Sequence, residues 1–571
     1  MKQFLILLLC AALLLSGCGT QPIAEVTIPE TSGETTGSAA PVTFSGDIPR
    51  STGAGKDYVS RFPEETLLCL TDDGVTVNGG GETQAVFTSR DIVYYADCDQ
   101  YDSGNPYGEG TEADKHTALE ADAHTVVNIT APGAYRIQGK LSAGQIRVDL
   151  GSGAYFDPEA VVELILDNAD ITCTVAPAIV FRNVYECDGN WSVDTASSQV
   201  DTTDAGANLV LEGSNAVSGS YVAKIYKDAE GEKKLWKQDG AIYSYMSLNV
   251  FGPGSLDLTA ENEGLDTELH LTIYGGSIAI RSGNDGINTN EDGVSVTTIQ
   301  GGDLHIIAGL GEEGDGIDSN GYLVINGGSV VSAANPAADA GLDSDLGSYI
   351  HGGTVIALGS TMDWAESDSR QVTMNLQFAQ PQSSQSAIVA AAEDGTVLFA
   401  YAPVDDEVLG ENRRQYQGAV ISCPGFRLGE SCQIYLGGTV TGTETGGLYT
   451  TVTGYTGGTR MQYSGTELGM TGGMGQMPAP DSSRKDFTRG EAPAFPEGQT
   501  FTRGERGQTP GSMTAPEGFS GERPELPEGE TFPRREMPQE GQEAALPEAT
   551  SFTDFSFQDP VNAFSQVSPA A

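Results

Sequence analysis

Four short segments place acidic or amide side chains around a glycine and an aliphatic residue. They are Glu263-Gly264-Leu265-Asp266, Asp285-Gly286-Ile287-Asn288, Asp315-Gly316-Ile317-Asp318 and Ala340-Gly341-Leu342-Asp343. A degenerate copy, Asp239-Gly240-Ala241-Ile242-Tyr243-Ser244, precedes them. If the copies stack, their polar residues form two outward columns. One holds Asp239, Glu263, Asp285 and Asp315, and the other holds Asp266, Asn288, Asp318 and Asp343. Carboxylates one strand spacing apart repel by roughly 3–4 kcal/mol at an effective dielectric near 20. Such columns persist when solvent screens them, when some members protonate or when a hard cation bridges them. Calcium is the cation that carboxylate, amide and carbonyl oxygens suit. Asp and Asn also cap turns by accepting from nearby backbone N–H groups, which is the competing explanation of the same pattern.

The elements that must position these residues are short β-strands. After each copy a β-like run ends in a glycine pair: Gly275-Gly276, Gly301-Gly302, Gly327-Gly328 and Gly352-Gly353. The pairs recur at steps of 26, 26 and 25 residues. A period in this range predicts a solenoid in which each repeat buries its apolar face against its neighbours. Leu265, Ile287, Ile317 and Leu342 are then core residues, and the glycine before each is expected at a corner with positive φ.

Composition bounds the rest. The chain has 571 residues, with 79 Asp+Glu against 29 Lys+Arg and a net charge of −50. That balance repels nucleic acid, whose phosphates need Lys and Arg, and it suits cations or neutral polymers. No Cys-x-x-Cys pair points to zinc, and the five histidines show no ligand spacing. Cys423 and Cys432 flank a predicted hairpin and are candidates for a disulfide.

Residues 1–18 read as a signal peptide, with Lys2 before the apolar run Phe4 to Leu15. Leu15-Ser16-Gly17-Cys18 resembles the bacterial lipobox, which implies a lipidated Cys18 and a place on the outer face of the bacterial cell membrane. Residues 19–54 read as a flexible linker, and 55–124 as an N-terminal β region. Residues 125–363 carry the solenoid, and 364–457 a β-sandwich-like cap that closes its open end. Residues 458–571, rich in Gly, Pro and Glu, read as a disordered tail.

Several ordered motifs resemble the carbohydrate-binding domain family of clostridial surface lipoproteins. These are Gly316-Ile317-Asp318-Ser319 with the downstream Gly-Gly-Ser/Thr runs, Leu166-Asp-Asn-Ala-Asp-Ile171 with Ala176-Pro-Ala-Ile-Val180, and Ser422-Cys-Pro-Gly-Phe-Arg-Leu-Gly429 leading to Tyr435-Leu-Gly-Gly438. The resemblance covers about residues 125 to 455. It implies an all-β chain built on a right-handed parallel β-helix that binds calcium (Ca2+) and plant cell-wall polysaccharide such as pectin or cellulose. The ligands it implies are Asp285, Asp315, Asp318 and Asp343, then Asp266 and Asn288, with Glu263 beside them in the column. Ala340 stands where that family carries an acid, which weakens the last position.

Tyr243, Tyr245, Tyr322 and Trp364 are candidates for stacking on sugar rings. Three functions compete: a non-catalytic polysaccharide binder, a calcium-dependent polysaccharide lyase and a structural surface adhesin. A lyase needs a base beside the cation, for which Arg281 is the candidate within the repeats.

Overall fold

The computed structural model describes residues 44–49, 58–95, 114–189, 192–223, 237–360, 363–403, 414–466 and 550–570. The signal segment, Cys18 and most of the linker lie outside the described residues. The described chain is nearly all β with large, mostly parallel sheets. Among the described residues no helix is long and apolar enough to cross a membrane.

Each repeat contributes one strand to each of three parallel stacks. The first stack runs through Ala207–Glu212, Leu248–Phe251, Leu271–Ile273, Val296–Ile299, Tyr322–Ile325 and Gly347–Ile350. The second runs through Ser214–Gly219, Ser255–Ala260, Ser277–Ser282, Asp303–Ile307, Ser329–Ala333 and Thr354–Gly359. The long strand Val162–Cys173 opens both. The third stack runs from Thr125–Ile129 through Gly144–Asp149, Ile179–Asn183, Gly240–Ser244 and Glu263–Thr267 to Ile287–Thr289 and Ile317–Ser319. The N-terminal region extends the first stack beyond Val162–Cys173, with Glu65–Thr71 on Gly133–Leu141 and Gly133–Leu141 on that long strand. It also contains a short helix, Ala118–Asp122, capped by Thr117 and Glu120, which the expected all-β region did not include.

Equivalent aliphatic residues stack along every face. In the third stack the ladder is Val127, Ile146, Ile179, Ile242, Leu265, Ile287 and Ile317, all fully buried. In the first stack it is Leu164, Leu209, Val250, Ile273, Ile299, Ile325 and Ile350. Each such side chain contributes about 1.5–3 kcal/mol of transfer free energy, and one rung supplies the wall for the next. In the third stack the residues that follow the last four aliphatics, Ile242, Leu265, Ile287 and Ile317, by two are hydroxyls: Ser244, Thr267, Thr289 and Ser319. They are buried, and Ser244, Thr267 and Ser319 donate to carbonyls of the following turn.

The glycines serve two purposes. The second of each pair, Gly276, Gly302, Gly328 and Gly353, has φ of +98°, +91°, +82° and +96°, a conformation glycine adopts without strain. The glycines of the acidic copies do not have the expected positive φ. They are needed because the next rung leaves no room. A Cβ on Gly286 would lie 2.3 Å from Ile306 Cγ2 and 2.6 Å from the carbonyl oxygen of Gly316. Gly286→Ala is therefore expected to lower stability by about 1–3 kcal/mol or more. Gly153→Ala, which meets nothing within 4 Å, should leave it unchanged. Thermal melts of the two variants check this, and equal melting temperatures would contradict the packing argument.

The C-terminal unit covers the second stack. Gln415–Ser422 pairs antiparallel with Thr354–Gly359, so the edge of that stack's last strand is bonded. Val331, Ala333, Ile356 and Leu358 share a core with Phe378, Phe399, Tyr401 and Phe426 of this unit. Two expectations are corrected. Residues 44–49 are not linker: Gly46–Asp47 pairs with Leu448–Thr456, and Phe44 packs against Tyr435 and Tyr455. Nor is the whole of 458–571 a structureless tail. Thr459–Gln462, Phe555–Ser556 and Val561–Pro569 are strands, and Val561–Pro569 lies parallel to Thr373–Ser383 with Phe564 and Val567 buried. The rest of the tail lies outside the described residues. Cys423 and Cys432 are buried free thiols rather than a disulfide.

Candidate functional site

The third stack carries the acidic copies in register. Tyr243, Asp266, Asn288 and Asp318 are successive partners on one ladder, and strand spacing puts such neighbours about 4.8 Å apart. The acids before each glycine are tied by backbone bonds. Gly264 N–H donates to the carbonyl of Asp285 at 3.0 Å, and Gly286 N–H to that of Asp315 at 3.0 Å. Turn chemistry is present as well. Asp285 Oδ1 accepts from Asp315 N at 2.7 Å, and Asp315 Oδ1 accepts from Ala340 N at 2.5 Å.

The columns do not face open solvent as expected. Glu263, Asp266, Asp285 and Asn288 are 3%, 0%, 7% and 6% exposed. Neighbouring side chains cover them: Asn290 Nδ2 donates to Asp266 Oδ1 at 2.5 Å, and Lys237 pairs with Asp239. Asp315, Asp318 and Asp343 are only partly buried, so the line of acids opens toward solvent at its far end.

The tightest convergence is Asp239, Glu263 and Asp266. One carboxylate oxygen of each lies within 4.8 Å of the others. Glu263 Oε2, Asp266 Oδ2 and Asn288 Oδ1 are buried without a hydrogen-bond partner among the described residues. Buried oxygens normally have one, and leaving it out costs about 1–3 kcal/mol.

Burial and mutual repulsion raise the carboxyl pKa values along the line. Asp266 goes well above the usual range through burial, then through Glu263. Asp285 does so through burial, Glu263, Asp318 and Asp315. Asp315 is pushed up to about 8 by burial and then Asp343, and Asp318 to about 8 by the same two causes. Asp363, which accepts from Ser344 N at 3.0 Å, rises to about 7 through burial and Asp343.

The structure brings all seven sequence-identified ligand candidates onto one stack or its continuation. It adds Lys237 and Asp363, which lie outside the repeated pattern, and Glu268, which holds the same position in its copy as Asn290, Asn320 and Asp345 in theirs. Tyr243 and Tyr245 are corrected. They are 0% and 1% exposed and cannot meet a sugar ring. Tyr243 occupies the ladder position one rung before Asp266, donates to Glu268 and packs edge-on against Tyr245 with centroids 5.0 Å apart. Both therefore wall the acidic pocket. Tyr322 is half-buried, and Trp364 is 48% exposed. Tyr322, Tyr349 and His351 form a strip on the first stack, with centroids 6.2 and 6.0 Å apart.

Residues 123–397 match the family model of carbohydrate-binding domain-containing proteins. A carbohydrate-binding domain-containing protein of Acetivibrio thermocellus is 28% identical over 174 residues, 30% of this chain. The match spans 51% of that relative, about half its length. A solved structure of the polysaccharide lyase-like protein from C. thermocellum, in a gadolinium derivative, is 19% identical with a TM-score of 0.30. The likeness covers 51% of this chain and 93% of that one.

Proposed function

We propose that this protein binds an acidic plant cell-wall polysaccharide of the polygalacturonate type in a calcium-dependent way, without cleaving it. In this reading the three stacks are the faces of a right-handed parallel β-helix, and Cys18 carries the lipid that holds the chain on the outer face of the cell membrane. The observation that carries the reading is the convergence of Asp239, Glu263 and Asp266, two of them with an unpartnered buried oxygen. The donor set fits calcium because it is all oxygen, with no sulfur or imidazole.

Asp239, Glu263, Asp266 and Asn288 would hold an ion that stabilises the fold. Asp315, Asp318 and Asp343 would hold one nearer solvent. When bound, calcium supplies the positive charge that offsets the stacked carboxylates and leaves coordination positions for uronate oxygens. The open end of the acidic line adjoins aromatic residues in sequence, since Asp345 precedes the half-buried Tyr349 and Asp363 precedes the exposed Trp364. A ring can stack there beside a coordinated carboxylate. Cleavage is disfavoured by the placement of Arg281. It stands on the second stack, on the ladder of Ile307, Ala333 and Leu358, where the charge of Arg414 faces it.

Pectate binding is expected to rise with calcium, to vanish with chelator and not to return with monovalent salt alone. Sedimentation of the protein with insoluble pectate measures this. Retention by chelated, still-folded protein would contradict shared coordination. Ultraviolet absorption from unsaturated uronates on incubation with polygalacturonate would instead establish a lyase.

A further inference from the structure

We infer that Lys237 is a built-in competitor for the cation: its ammonium holds Asp239, one of the three acids of the Asp239–Glu263–Asp266 pocket, and must leave before a divalent ion can take that ligand. This rests on the calcium reading above and adds a regulatory part to it. Lys237 Nζ forms an ion pair with Asp239, which is itself only 4% exposed. Its ammonium lies in the field of Glu263, Asp266, Glu268 and Asp285. The Lys237 side chain is about half exposed, at 47%, against 6% for the Asp239 side chain. The head group is thus held on the Asp239 side of the pocket while the side chain remains accessible from solvent.

An ammonium is a compact charge with three donors on a flexible stem, able to replace some of what a hard cation gives a carboxylate cluster. It satisfies the pocket only in part. Glu263 Oε2 and Asp266 Oδ2 are left without partners although the lysine is present. One positive charge among three carboxylates leaves an excess that a divalent ion reduces further. The ammonium and the ion cannot share a space whose ligand oxygens lie within 4.8 Å of one another, because their own repulsion is strongest where the site is driest. Lys237 therefore keeps the metal-free pocket from carrying its whole charge unpaired. It also lowers the apparent cation affinity, toward the weak range of extracellular calcium modules.

Two measurements test this. Calcium chloride titrated calorimetrically into Lys237→Met should show an affinity at least about 10-fold tighter than in the unsubstituted protein. Lys140→Met, which removes an exposed pair with Asp170, should show no change. In the unsubstituted protein, acetylation of Lys237 by an amine-reactive ester, read by mass spectrometry, should speed up several-fold when calcium is added. Lys140 labelling serves as the internal control. Equal calcium affinity with and without Lys237, or Lys237 labelling that calcium leaves unchanged or slows, overturns the competition while the calcium reading stands. Absence of calcium binding in both proteins overturns both. Labelling needs no variant, so a poorly folded Lys237→Met would not rescue the idea.

Discussion

Saturating calcium is expected to raise the melting temperature by roughly 5–10 °C at pH 8, and by clearly less at pH 5. A ligand at about a thousandfold its Kd stabilises the native state by about 4 kcal/mol, which corresponds to a shift of this order in a domain of this size. The pH dependence follows from the buried acids. Asp315 and Asp318 are held at about 8 in the fold, by burial and then by Asp343. Unfolded aspartates titrate near 3.9. Between about pH 4 and pH 8 the native state therefore holds protons that the unfolded chain releases. Metal-free stability falls as pH rises through that window. Cation binding needs the deprotonated carboxylates, so its contribution grows over the same range and levels off above about pH 8. Scanning calorimetry at pH 5 and 8, with calcium or with chelator, measures both trends. A metal-free protein that is more stable at pH 8 than at pH 5 would remove the buried-acid argument. A chelator without effect at pH 8 would remove the cation.

Asp266→Asn should separate binding from folding. Asp266 is fully buried, its Oδ2 has no partner, and its other oxygen accepts from Asn290. An asparagine keeps the shape and that hydrogen bond, and it continues the ladder next to Asn288. Because burial and then Glu263 already disfavour the charged form of Asp266, the neutral amide is expected to leave the metal-free protein at least as stable at pH 8. The same change should weaken calcium binding on the order of 100-fold, since removing a ligand costs at least as much as removing its outer partners. Asp257→Asn, on an exposed position of the second stack, should alter neither quantity. Denaturant unfolding in chelator together with calorimetric titration gives both numbers. A variant that is less stable without metal and binds calcium undiminished would contradict both halves.

The repeat was legible because its period is also its packing rule. Leu265, Ile287 and Ile317 follow a glycine in each copy, and in space they are consecutive partners on one ladder. Their acidic neighbours could be placed in columns for the same reason. Burial of those columns could not be read, because it depends on Lys237, which belongs to no repeat, and on the reach of Asn290 to the rung before its own. Tyr243 was misplaced because an aromatic residue in a strand looks the same whether it covers sugar or carboxylate. Only its register opposite Asp266 decides. The glycine before each aliphatic looked like a turn residue. Its actual constraint is the neighbouring rung, a distance that no single repeat contains.

The strand Val561–Pro569 has a practical bearing on how the chain can be cut. It bonds to Thr373–Ser383 along one side and to Thr459–Gln462 along the other, and Tyr463 bridges to Phe552. The described residues on both sides of the 467–549 span are thus part of one packed core. A stop codon introduced after residue 466 deletes Phe555, Phe564 and Val567 from a packed core, and the resulting protein would report on misfolding. To learn what that long segment contributes, the coding sequence should be excised internally and residue 466 joined to residue 550 through a short glycine-serine bridge.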